Sequence, residues 1–130
     1  MPVLRLEPFT AFGNLSFSFG VEELVAQLGP PNHCSRNNVA LNEYDYGHSV
    51  LRFQDNGRLE EITRRAPVLQ LDTVAIPFGA LAGFVLAQDA ETFERAGFLV
   101  SPAFGIAFVP AEPDWVTALA RHCIPTWRAL

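Results

Sequence analysis

A short glycine turn does most to limit what this chain can fold into. Asp55-Asn56-Gly57 stands between two short strand-like runs, Val50-Leu51-Arg52-Phe53-Gln54 and Arg58-Leu59-Glu60-Glu61-Ile62. That pattern specifies a β-hairpin with a three-residue loop and Gly57 in the left-handed region, which pairs Phe53 with Leu59 and Arg52 with Glu60. Upstream, Gly47 to Val50 read as an even-numbered loop closes a second hairpin, with Tyr46 opposite Leu51, Tyr44 opposite Phe53 and Asp45 opposite Arg52. Both turns give the same division. Tyr44, Tyr46, Leu51, Phe53 and Leu59 share an apolar face, while Asp45, Arg52 and Glu60 form a charged ladder with Glu43 and Gln54 beside it. Ile62 falls out of phase, which calls for a bulge or a strand end near Glu61.

Ahead of this meander, Val21, Leu24, Val25 and Leu28 recur at i, i+3, i+4 and i+7, the apolar stripe of a helix, with Glu22 and Glu23 in the favoured first turn. Gly29-Pro30-Pro31 ends that helix. A polar loop over 32–38 leads to strands expected at 39–46, 50–54 and 58–62. The second half repeats the order loosely: a helix over 79–88, a short helix from Phe93 to Ala96 capped by Asp89, and strands at 97–101 and 104–109 joined by Pro102-Ala103. Phe19-Gly20 recurs as Phe78-Gly79, and the strand ending in Phe53 has a counterpart ending in Phe108. A last helix is expected over 114–123, with Trp115, Ala118, Leu119 and His122 on one face and Pro125 preventing its continuation.

The fold class expected is therefore α+β: one domain over 1–130 with helices packed on one face of an antiparallel sheet. Two loosely repeated helix-hairpin units, 14–66 and 74–110, precede the C-terminal helix. The composition excludes several functions. Hydrophobic residues make up 49% of the 130 residues and charged residues 18%, so the chain has a core to bury, and a net charge of −5 without a basic run argues against nucleic acid. The longest apolar stretch, Val74 to Ala87, is broken by Pro77, Gly79 and Gly83, which argues against a membrane span. Met1 to Thr10 lacks the pattern of an export signal, so a cytoplasmic location is expected.

The stretch from Asn14 to Ile62 resembles the repeat of the β-lactamase inhibitory proteins and of the small outer-membrane assembly lipoproteins. The residues that carry the resemblance are Val25, Leu28-Gly29-Pro30-Pro31, Tyr44-Asp45-Tyr46, Val50-Leu51-Arg52-Phe53 and Asn56-Gly57-Arg58-Leu59. The resemblance implies a helix on one face of an antiparallel sheet whose other face is free to bind a protein. Small, acidic α+β domains without catalytic motifs are also similar in type to the immunity proteins of bacterial toxin systems.

Chemistry is harder to find. His33-Cys34 and His122-Cys123 suggest a Cys₂His₂ zinc site, but adjacent residues seldom reach one ion and zinc ligands are usually spaced by two to four residues. No metal or cofactor is expected. Either thiol beside His33, His48 or His122 could form a nucleophile, yet no spacing places them together. Ser49 lacks the G-x-S-x-G elbow. Glu43, Asp45, Glu60 and Glu61 could act as paired carboxylates, but Arg52 between Asp45 and Glu60 would hold both ionised. The second hairpin is apolar on both faces, so it is covered by the C-terminal helix or forms an interface. The expected function is a binding protein without enzymatic activity that occludes the active site of a cognate toxin. Its contact residues would be Glu43, Asp45, Arg52 and Glu60, facing a basic cleft, with Phe98 and Phe104 supplying apolar contact. The alternatives are a small enzyme or ligand-binding module with a pocket between helix and sheet, and a homodimeric structural protein.

Overall fold

The computed structural model describes residues 3–38 and 40–130. Met1 and Pro2, where the expectation about export begins, and Val39, the first residue of an expected strand, lie outside the described residues. Elsewhere the chain is mostly β, and the expected helix-packed α+β architecture is corrected to two sheets with three short helices.

The smaller sheet has five strands in the order β3-β2-β1-β8-β9. β1 (Val3–Glu7) runs parallel to β8 (Val68–Leu71), flanked by β2 (Ala11–Phe12), β3 (Leu15–Ser16) and β9 (Val74–Pro77). None of these strands was expected. Leu4 and Leu6 alternate with charged residues, and Leu69 and Leu71 alternate around Gln70, but the pairing that makes them strands joins segments far apart in sequence.

The larger sheet has eight strands in the order β10-β11-β12-β13-β7-β6-β5-β4. β4 (His33–Arg36), β5 (Asn42–Asp45), β6 (Ser49–Phe53) and β7 (Leu59–Arg65) form one meander after helix α1 (Val21–Leu28). β10 (Phe93–Arg95), β11 (Phe98–Ser101), β12 (Ile106–Phe108) and β13 (Trp115–Leu119) form the other after helix α2 (Phe78–Gln88). The order is symmetrical about the β13–β7 pair, so each half is a helix followed by a four-stranded meander.

Three expected helices or loops change class. His33–Arg36, expected within a loop, is the exposed edge strand β4. The short helix at 93–96 is strand β10, and Asp89, rather than capping it, closes the C-terminus of α2. The helix over 114–123 is strand β13 followed by a turn, and helix α3 (Cys123–Arg128) begins only there. Trp115-Val116-Thr117-Ala118-Leu119 is buried on both faces, and a strand covered on both sides reads as an unbroken apolar run that periodicity cannot separate from a helix. Pro125 falls in the first turn of α3, where a missing N–H costs nothing.

One core cluster lies between the sheets. Tyr46, Leu51, Phe53, Leu59 and Ile62 face it from the first meander and Leu99, Ile106 and Phe108 from the second, with Leu6, Phe12 and Leu69 from the small sheet. Leu24 of α1 and Phe78, Leu81 and Val85 of α2 join it. Each large apolar side chain buried here contributes about 1.5–3 kcal/mol. The Leu-Gly-Pro-Pro and Tyr-Asp-Tyr motifs meet physically: the Gly29 N–H donates to the Val25 carbonyl as it caps α1, and the Tyr46 hydroxyl donates 2.9 Å to the Gly29 carbonyl. Gly105 is needed where it stands, because its φ is +63° and a Cβ there would lie 2.7 Å from the Phe9 ring.

Candidate functional site

The site is the outer face of the large sheet, away from the core. Its register follows from two turns, one as expected and one tighter. Gly57 is in the left-handed region and Phe53 pairs with Leu59. Beyond that pair the register shifts: Arg52 pairs with Glu61 and Leu51 with Ile62, so Glu60 is the bulged residue. This bulge is the feature that Ile62 demanded. At the other turn the Tyr46 N–H bonds the Ser49 carbonyl at 2.8 Å, leaving only Gly47-His48 in the loop. The shorter loop moves the register by two residues, so Glu43, not Asp45, lies opposite Arg52. Faces are preserved by an even shift, and partners are not.

The expected Asp45-Arg52-Glu60 ladder is therefore corrected to Glu43-Arg52-Glu61. Arg52 Nε donates to Glu43 Oε2 at 2.7 Å, and its Nη1 reaches Thr63 Oγ1 at 2.8 Å and Glu61 Oε1 at 3.4 Å. Thr63 and Thr117 continue the row through a 2.8 Å hydroxyl contact. Glu61 Oε2 accepts from Trp127 Nε1 at 3.3 Å. Burial pushes the Glu61 carboxyl above its usual range against the opposing pull of Arg52 and the Trp127 N–H. Asp45 is on the same face but turns back to accept the Gly47 N–H at 2.7 Å.

Glu60 does not belong to an open charged face. Its side chain is 3% exposed and turns to the end of β13. There Oε1 meets Arg58 Nη2 at 3.3 Å and Oε2 meets His122 Nε2 and, at 3.3 Å, Cys123 Sγ. Its carbonyl accepts the Ala120 N–H.

α3 covers the other half of this face. Val100, Ala107, Leu119, Ala120 and Cys123 form a second cluster with Phe98, Ile124 and Trp127 against it, and the Phe98 and Trp127 rings meet edge to face at 5.2 Å. Both faces of the second hairpin are thus covered within the chain, the outer one by α3. Phe104, expected at an interface, packs instead against the main core and the Phe84 ring. Phe98 is part-buried and lines a cleft.

That cleft, of about 560 Å³, lies between α3 and the uncovered part of the sheet. Leu41, Phe98, Trp127 and Leu130 supply apolar wall, Glu43, Arg52, Glu60 and Glu61 supply charge, and His122 and Cys123 also line it. Of the expected contact residues, Glu43, Arg52, Glu60 and Phe98 therefore line it. Trp127, Glu61 and the Thr63–Thr117 pair were not among them; Trp127 packs against the cluster that holds Cys123.

The thiol-nucleophile option fares poorly. Burial, and then the Glu60 carboxylate, push the Cys123 thiol far up, which suppresses the thiolate on which reactivity depends. Cys34 is exposed on β4. His48 bonds Ser49 through Nδ1 at 2.8 Å, but Ser49 faces the core at 0% exposure, out of reach of a substrate. Among the described residues, one group of three metal-ligating side chains converges: Glu60, His122 and Cys123. No helix of the described residues is long and apolar enough to cross a membrane. The chain matches no family model, no curated protein and no solved structure.

Proposed function

We propose that this chain is a protein-binding module that neutralises a cognate toxin by covering its active site with the uncovered half of the large sheet. The observation that carries the reading is the cleft itself, in which part-buried carboxylates on the sheet face sit beside the aromatic walls of Phe98 and Trp127. A pocket of that character receives a cationic or aromatic anchor of a partner, the kind of residue that dominates interface energetics. The net charge of −5 favours approach of a basic surface and raises the association rate. Glu43 and Glu61 are already held by Arg52, and Trp127 by Glu61 and the Phe98 ring, which limits the ordering cost of binding.

The experiment is co-expression with the protein encoded by the adjacent gene, followed by a growth assay and by affinity measurement on the purified pair. The wild-type chain restores growth. Glu43→Lys, which leaves the core untouched, keeps the melting transition within a few degrees and weakens the pair at least about tenfold. Unchanged affinity of a folded Glu43→Lys variant contradicts the reading.

A second reading, a small ligand-binding module, is favoured by the position of the cleft between a helix and the sheet, with Glu60, His122 and Cys123 among the residues lining it. A small-molecule thermal-shift screen separates the two: a stabilising ligand that Glu43→Lys abolishes supports the module.

A further inference from the structure

Among the residues lining the cleft, Glu60, His122 and Cys123 place a carboxylate oxygen, an imidazole nitrogen and a thiol sulfur within 4.8 Å of one another. They come from two elements that meet only in the folded chain, the bulge in β7 and the start of α3. Spacing in sequence argued against a shared ion for His122 and Cys123, yet His122 is the N-cap of α3 and Cys123 its first residue. The chain bends there, and both side chains turn to Glu60.

We propose that Glu60, His122 and Cys123 bind one zinc ion, with the fourth coordination position open to the cleft. A tetrahedral zinc ion with bonds of about 2.0–2.3 Å holds its ligand atoms about 3.5 Å apart, which the three donors reach by small side-chain rotations. The donor set is selective. Magnesium and calcium take oxygen ligands, whereas a mixed sulfur, nitrogen and oxygen set suits zinc. Three protein ligands and an open position is the layout of zinc sites that accept an outside ligand, in contrast to closed four-ligand structural sites. Arg58, on the second oxygen of Glu60 at 3.3 Å, is the outer partner that fixes which oxygen turns to the ion. On binding, the Cys123 S–H bond breaks and its proton goes to solvent as the sulfur–zinc bond forms, with no change of oxidation state. The thiolate and the carboxylate together balance the two charges of the ion. The open position takes a water molecule or a carboxylate, imidazole or thiolate of an incoming ligand. The inference does not depend on the toxin-neutralising reading.

The test uses the purified full chain and Co²⁺ as a spectroscopic probe. One equivalent produces visible d–d bands and a sulfur-to-cobalt charge-transfer band in the near ultraviolet, and Zn²⁺ displaces both. Cys123→Ser removes the charge-transfer band, and His122→Ala, at the exposed rim, weakens Co²⁺ binding at least about tenfold. Cys34→Ser leaves the spectrum unchanged. His122→Ala carries the test without a substitution in the buried Glu60. A wild-type protein that gives no charge-transfer band in excess Co²⁺ overturns the proposal, and so does a band that survives Cys123→Ser or is lost in Cys34→Ser.

Discussion

The two meanders of the large sheet share an order of elements and differ in what lies over their outer faces. On the β10–β13 half that face is Phe98, Val100, Ala107 and Leu119, and α3 covers it. On the β4–β7 half it is Glu43, Arg52, Glu61 and Thr63, tied by hydrogen bonds and open to a cleft. Their inner faces are alike, with Phe53 and Phe108 both buried at the ends of corresponding strands. Inner faces follow the need for a core, while the outer face follows what the chain does next. After β13 it folds back as α3, and after β7 it leaves for the small sheet. An uncovered apolar face would invite association, so the half without a helix carries charge.

The largest effects belong to the shared inner faces. Phe53→Ala and Phe108→Ala should each cost about 3–5 kcal/mol, read from denaturant midpoints, and a near-neutral result at either would remove it from the core. Trp127→Ala strips the covered half, leaving Phe98 without its ring partner. It should cost about 2 kcal/mol and raise binding of a hydrophobic dye, with no such rise for Glu43→Lys.

Asp89 gives a pH-dependent test on the covered side. Burial alone would raise its carboxyl, but hydrogen bonds from the Ala103 N–H, the Ser101 hydroxyl and the Glu91 N–H hold it below the usual carboxylate range. The folded value is thus lower than the unfolded value of about 3.9, so the stabilisation is present above that value and lost as pH falls through the folded one. Asp89→Asn should cost about 1–3 kcal/mol near neutrality. The gap in melting temperature between variant and wild type should narrow as pH falls below about 4, and a constant gap would show that the carboxylate charge plays no part.

The smallest effect is expected at Asp45, whose carboxylate accepts the local Gly47 N–H on the open half. Asp45→Lys should change stability by about 0.5 kcal/mol or less, whereas a loss comparable to Phe53→Ala would mean that this half is not open.

How much of this was legible in the sequence depended on how local the cause was. The Asn56-Gly57 turn, the end of α1 at Gly29 and the bulge implied by Ile62 are decided within a few residues, and the structure has them. The division of Tyr44, Leu51 and Phe53 from Glu43 and Arg52 survived a two-residue error at Gly47-His48, because an even shift keeps side chains on their faces. What failed was non-local. β1 pairs with β8 across half the chain, and β13 shows its strand character only through β12 and β7 on either side. With 114–123 read as a helix, nothing brought His122 and Cys123 to Glu60. The site was legible as a charged face but not as a cleft, since its far wall is α3, which begins just before the proline taken to end a helix.

On the proposed function, a partner covers the open half of the large sheet with the adjoining rim of α3. Hydrogen–deuterium exchange of the chain, free and bound to the protein encoded beside it, reads that surface directly. Binding should slow exchange over 41–54 and 121–128 and leave 68–77 of the small sheet unchanged. Protection confined to the small sheet and α2, with 41–54 exchanging as in the free chain, would contradict the proposed function.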